Sequence, residues 1–153
     1  MKKLGEYALA VVIVLGILGL LYLIVNEFLQ SEPEVGTITY RCGDEQIIPI
    51  QNEIYITEDR VAVNKKRLVL EELSDIPSLN YNGVLNASIE GKSENGAFYF
   101  TIYNEDYSIY APQKASFTDP KEKGVYIVHV ETYWGTEKDN IGMEYYFKLV
   151  RAE

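Results

Sequence analysis

The chain has one histidine and one cysteine, so nucleophilic or metal chemistry would have to be built around His129 and Cys42. A serine-histidine-acid triad needs its histidine held between a nucleophile and a carboxylate. By strand period His129 shares a face with Val125, Ile127, Glu131 and Tyr133, opposite the more apolar face of its segment. This predicts a solvent-facing His129–Glu131 pair rather than a catalytic base. No G-x-S-x-G, H-E-x-x-H or C-x-x-C sequence occurs. A zinc centre would have to be completed with carboxylates, because nitrogen and sulfur ligands are too few. No catalytic residue, cofactor or metal centre is expected. Cys42 has no intrachain partner and reads as a small buried hydrophobe, with an intermolecular disulfide as the alternative.

Acidic residues cluster at Asp44-Glu45, Glu58-Asp59, Glu71-Glu72 with Asp75, and Glu105-Asp106. A glycosidase sets two carboxylates across a cleft. Neighbours on a turn or strand point apart, so these groups read as solvated turns and edge charges that discourage strand pairing between molecules. A cell-surface enzyme with one converging carboxylate pair is an alternative, and Asn104-Glu105-Asp106 could hold calcium weakly.

The aromatic residues offer a binding surface. Of thirteen tyrosines, Tyr99, Tyr103, Tyr133 and Tyr146 fall opposite the apolar face of their strands or alternate with it, and Trp134 stands where a loop is expected to start. Rings with one apolar body and one polar tip suit a protein or glycan partner. Tyr99, Tyr103, Tyr133, Trp134 and Tyr146 are the candidate partner-binding residues. Asn86-Ala87-Ser88 is a glycosylation sequon.

The elements that carry these residues are strands. From Gly36 the pattern alternates: Ile38, Tyr40 and Cys42; Ile54 and Ile56; Leu85, Ala87 and Ile89; Phe98, Phe100 and Ile102; Tyr126, Val128, Val130 and Thr132; Met143, Tyr145, Phe147 and Leu149. Pro49 makes its surroundings an edge strand or a bend. Residues 61–63 and 67–70 flank Asn64-Lys65-Lys66 as an expected hairpin, and residues 73–81 look irregular. Eight or nine short strands separated by turn signals predict an antiparallel two-sheet sandwich over residues 36–153.

Ahead of this domain, Tyr7 to Val25 runs for nineteen residues without charge, amide or proline. As a helix it would extend roughly 28 Å, about the hydrocarbon thickness of a bilayer. Lys2 and Lys3 precede it and no Lys or Arg follows until Arg41, which places the amino terminus in the cytoplasm and the domain outside. No small-residue cleavage site follows the run, so an uncleaved signal anchor is expected over residues 7–29, with a tip at 1–6 and a short stalk at 30–35 ended by Pro33. Tyr7, Val14, Gly16, Gly19, Tyr22 and Val25 belong to this lipid-facing anchor. The formal charge of −9 argues against nucleic acid and against adsorption to anionic lipid.

Glu122-Lys123-Gly124-Val125-Tyr126-Ile127-Val128 resembles the acid-x-G-x-Y-x-apolar run that opens the penultimate strand of immunoglobulin-like domains. The resemblance covers residues 122–150 and points to the disulfide-free modules of prokaryotic membrane-anchored or secreted proteins. It implies that the Tyr126 hydroxyl bonds back to the preceding loop. The start, Lys2-Lys3-Leu4-Gly5-Glu6-Tyr7-Ala8, resembles type IV pilin-like subunits, although Glu6 follows Gly5 directly, where those families space the two apart. The expected function is a single-pass membrane protein presenting a non-catalytic β-sandwich to a partner at the membrane surface, in the manner of an accessory subunit of an envelope complex. A pilin-like structural subunit is the alternative.

Overall fold

The computed structural model describes residues 12–22, 33–91 and 94–152. The chain divides into two compact units, Met1–Glu32 and Pro33–Glu153. In the first, residues 12–22 are helical. Its large apolar side chains lie open on all sides, from Leu21 at 50% exposure to Tyr22 at 70%. Nothing comes within 4 Å of where a side chain would start at Gly16 or Gly19. Among the described residues no helix is long and apolar enough to cross a membrane. Eleven residues extend only about 16 Å. The full span expected over 7–29 is therefore not seen: residues 7–11 and 23–29, including Tyr7 and Val25, lie outside the described residues.

The second unit holds ten strands among its described residues: β1 Thr37–Cys42, β2 Glu45–Ile47, β3 Ile50–Glu58, β4 Val61–Asn64, β5 Ser78–Asn80, β6 Asn86–Glu90, β7 Tyr99–Asn104, β8 Ile109–Lys114, β9 Gly124–Gly135 and β10 Asn140–Arg151. A three-stranded sheet runs β2-β1-β6, and a larger one runs β4-β3-β10-β9-β7-β8. All pairs are antiparallel except β5, which runs parallel to β10 along Lys148–Val150, beyond the stretch that β3 occupies. The expected antiparallel, sandwich-like architecture is thus present.

Alternation explains the core. Tyr126, Val128, Val130 and Trp134 of β9 and Met143, Tyr145, Phe147 and Leu149 of β10 share the inner face. They pack on Ile38, Tyr40 and Cys42 of β1, with the Tyr40 and Phe147 rings stacked at 4.3 Å. Burying one large apolar side chain contributes about 1.5–3 kcal/mol, so these two long strands carry much of the fold. The Tyr126 hydroxyl donates to the Glu122 carbonyl at 2.9 Å, bonding back to the loop before β9.

Four expectations change, the first being that residues 73–81, read as irregular, contain the strand β5. The hairpin is not made by Asn64-Lys65-Lys66. Asp59 and Arg60, at φ of 49° and 67°, turn the chain so that β4 pairs with β3. Two successive positive φ values suit the right-handed twist of a two-residue hairpin. Residues 67–70 are consequently not a strand. They begin a strap, residues 65–76, that crosses the outer face of the large sheet with a one-turn 3₁₀ segment at Leu70–Glu72. On β6, Ala87 is exposed and Ile89 is 42% exposed; only Leu85 of the expected apolar face packs on the core.

Gly36 lies where the chain runs into the first strand. A Cβ there would stand 2.5 Å from two ring atoms of Trp134 and 2.9 Å from the Glu90 carbonyl oxygen. Neither neighbour is a flexible tip, since Trp134 is fully buried. Gly36→Ala is expected to destabilise by about 1–3 kcal/mol, read as a lower urea midpoint at unchanged slope.

Candidate functional site

The outer face of the large sheet is laid out in rows by strand register. Tyr55, Gly142 and Tyr133 form one row across β3, β10 and β9. Asn52, Glu144, Glu131 and Tyr99 form the next, reaching β7. Ile50, Tyr146, His129 and Thr101 form the third. Lys148, Ile127 and Tyr103 form the fourth. The strap lays Leu68, Leu70, Leu73 and Ile76 over Ile50, Tyr103, Ile127 and Tyr146, making a second, smaller core.

This cover reverses the expectation for His129. The residue is on the face opposite the main core, as its parity required, but only 7% exposed rather than solvent-facing. Its ring stacks on Tyr146 at 4.5 Å. Its Nε2 has no hydrogen-bond partner and lies 3.4 Å from Glu144 Oε2 and 3.6 Å from Glu131 Oε1. Arg67, from the strap, places Nη1 2.5 Å from Glu131 Oε1 and 3.8 Å from Glu144 Oε2.

Glu144 is fully buried. A buried carboxylate is tolerated only when its oxygens are occupied. Oε1 accepts from the Leu68 amide at 2.8 Å and from Asn52 Nδ2 at 2.8 Å, and Oε2 accepts from the Tyr146 hydroxyl at 3.1 Å. Asn52 also donates to the Lys66 carbonyl and the Lys65 amide donates to the Ile54 carbonyl, so three strap residues are bonded to the sheet by their backbones. Burial pushes the Glu144 carboxyl up; the approach of His129, the Leu68 amide and Asn52 outweigh it and hold the group at about 2. Burial, then the Glu144 charge beside it, pushes the Tyr146 hydroxyl well above its ordinary range. The Glu131 contact raises the Arg67 guanidinium further. Chemically the cluster is a charged latch under a strap. Among the described residues no set of three His, Cys, Asp or Glu side chains is arranged to hold a metal ion; around His129 the cation is Arg67.

The five candidate partner-binding residues separate into two groups. Trp134 is fully buried and donates Nε1–H to the Tyr145 hydroxyl at 2.8 Å. It continues the inward parity of Tyr126, Val128 and Val130, because β9 runs on to Gly135 instead of ending in a loop. Tyr146 points outward but is 4% exposed beneath the strap. Neither presents a ring to solvent, which corrects the expected surface. Tyr99 is 45% exposed, and Tyr103 and Tyr133 are half-buried. Tyr103 packs under the strap, leaving Tyr99 and Tyr133 on the open part of the face.

Two residues overlooked in the sequence complete that open part. Tyr55 faces outward with Asn52 and Ile50 because the register shift between Gly142 and Met143 inserts an extra residue into β3, and it lies over Gly142, where an added Cβ would meet its ring at 2.2 Å. Tyr133 covers Gly96 in the same way, at 2.1 Å. Aromatic rings laid on glycine fill the gap left by the missing side chain. Arg67 beside them is exposed.

The other expected groups lie apart. Cys42 is buried, exchanging contacts with Asn82 through Sγ at 3.1 and 3.3 Å. Asn86 is exposed on β6. The Glu45 carboxylate accepts from Asn80, and Asp106 accepts from Ser108. No protein-family model, curated protein or solved structure matches the chain.

Proposed function

We propose that the chain is a single-pass membrane protein whose non-catalytic β-domain binds a protein partner outside the cytoplasm. The observation that carries this reading is the helix at residues 12–22, apolar on every side and open on every side. A helix hydrophobic all round belongs in a protein core or in lipid. It forms the middle of a nineteen-residue uncharged run. The lysines before the run set the orientation. The immunoglobulin-like reading of the domain draws on the Tyr126–Glu122 bond and on the β9–β10 hairpin that closes the chain. The partner surface is the open part of the outer face: Tyr55, Tyr99 and Tyr133, bordered by Arg67 and Glu131. Tyrosine and arginine are the residue types that anchor protein interfaces.

Two measurements test it. After alkaline carbonate treatment of membranes, the full chain is expected in the pellet with an intact Met1-Lys2-Lys3 start; release to the supernatant refutes the anchor. The double substitution Tyr55→Ser with Tyr99→Ser is expected to lower stability by about 1–2 kcal/mol while leaving the domain folded. It should abolish crosslinking to the partner in native membranes. Unchanged crosslinking places the partner elsewhere.

A further inference from the structure

His129 and Arg67 address the same two oxygen atoms. Glu131 Oε1 has Arg67 Nη1 at 2.5 Å and His129 Nε2 at 3.6 Å. Glu144 Oε2 has His129 Nε2 at 3.4 Å and Arg67 Nη1 at 3.8 Å. The two cationic side chains differ in what they lose on leaving. The Arg67 side chain is 55% exposed and can move into water, whereas the His129 side chain is 9% exposed and held against Tyr146.

We propose that Arg67 and the protonated ring of His129 compete for the Glu131–Glu144 pair, so that acidification releases Arg67 and loosens the start of the strap at residues 66–68. With His129 neutral, two carboxylates face one cation and Arg67 is held by both. Uptake of one proton makes the ring a cation with N–H on both nitrogens. It then satisfies the pair from the buried side, and the positive charge beside Arg67 repels it. Histidine is the side chain whose ordinary titration falls between about pH 5 and 8.

The surroundings of the ring are consistent with this exchange. Glu131 faces it from β9, Glu144, Tyr146 and Lys148 share the face on β10, Thr101, Tyr99 and Tyr103 do so on β7, and Asn52 and Tyr55 on β3. The strap contributes Arg67, and Glu71, whose charge reaches Tyr103. Burial raises the Glu144 carboxyl, and the His129 contact, the Leu68 amide and Asn52 together hold it at about 2. The proposal stands independently of whether the tyrosine face binds a partner, although Arg67 borders that face.

The full chain in detergent micelles allows a direct test, because His129 is the sole histidine. Hydrogen-exchange protection over residues 66–70, corrected for intrinsic rates, is expected to fall about tenfold or more from pH 8 to pH 5. In His129→Gln, which keeps a neutral donor of similar size, protection should stay level across that range. In Arg67→Gln, protection should be low at both pH values. Protection that is constant or rises on acidification overturns the proposal. So does an equal fall in His129→Gln, or protection in Arg67→Gln that matches the native chain at pH 8.

Discussion

Glu144→Ala is expected to lower folding stability by about 3–5 kcal/mol, the range for removing one partner of a buried charged network. The side chain is fully buried, and its loss strands the Leu68 amide and the Tyr146 hydroxyl without their acceptor. It also removes half of the charge that holds Arg67 and His129. The strap would lose its bond to β10 while the main core, on the other side of the sheet, stays packed. Equilibrium urea unfolding of the detergent-solubilised chain measures the loss. Exchange protection over residues 65–76 should fall further than over β9 and β10. A loss below about 1 kcal/mol would mean that the latch contributes no more than an exposed pair.

The same residue sets a pH dependence with a defined sign. Its carboxyl is lowered from 4.5 to about 2 in the folded chain, so folding favours the ionised form. The stabilisation is therefore complete above about pH 4.5 and is lost as pH falls toward 2, amounting to about 3 kcal/mol. In Glu144→Gln this part of the acid dependence should vanish, leaving a flatter urea midpoint between those limits. An unchanged slope would assign the acid sensitivity to other carboxylates.

Trp134→Ala is expected to cost about 3–5 kcal/mol, the range for truncating a fully buried aromatic side chain. Trp134 joins both sheets' surroundings: it packs in the main core, contacts Gly36 and hydrogen-bonds the Tyr145 hydroxyl. Trp134→Phe separates these contributions, since it keeps most of the volume and drops the bond, and should lose roughly half as much. As the sole tryptophan, Trp134 also reports on itself. Native emission is expected to be blue-shifted and to resist acrylamide quenching. Red, readily quenched emission would return the ring to the surface.

Trp134 also shows how far a linear reading extends. Period-two alternation placed Tyr126, Val128 and Val130 inward, and the same parity includes Trp134. The polar residues from Gly135 onward suggested a loop one residue too soon, and the ring was assigned to the surface. The inward reading of Ile54 and Ile56 turns Tyr55 outward but would also turn Ile50 and Asn52 inward; the bulge in β3 sets all three on the outer face. The outward parity of His129 and Tyr146 was correct, yet their exposure was not, because parity names a face without saying what covers it.

What covers it is the strap. Residues 67–70 are a short, mostly apolar run that reads as a strand, and only the Asp59-Arg60 turn, made without glycine, diverts β4 onto β3 and sends the following residues across the sheet. No local pattern announces that crossing. It arises because Leu68, Leu70, Leu73 and Ile76 find an apolar patch built from Ile50, Tyr103, Ile127 and Tyr146 on four different strands.

Residue types at short spacing are enough to specify the β-rich domain, its alternating strands, its inner apolar face and the uncharged run before it. The tertiary structure alone decided that His129, Glu131, Glu144 and Arg67 meet. Strand register sets the first three on adjacent strands, and the strap brings Arg67 from more than sixty positions away. Long-range pairing leaves no mark at short spacing, and here it converts a supposed surface histidine into the buried partner of two carboxylates.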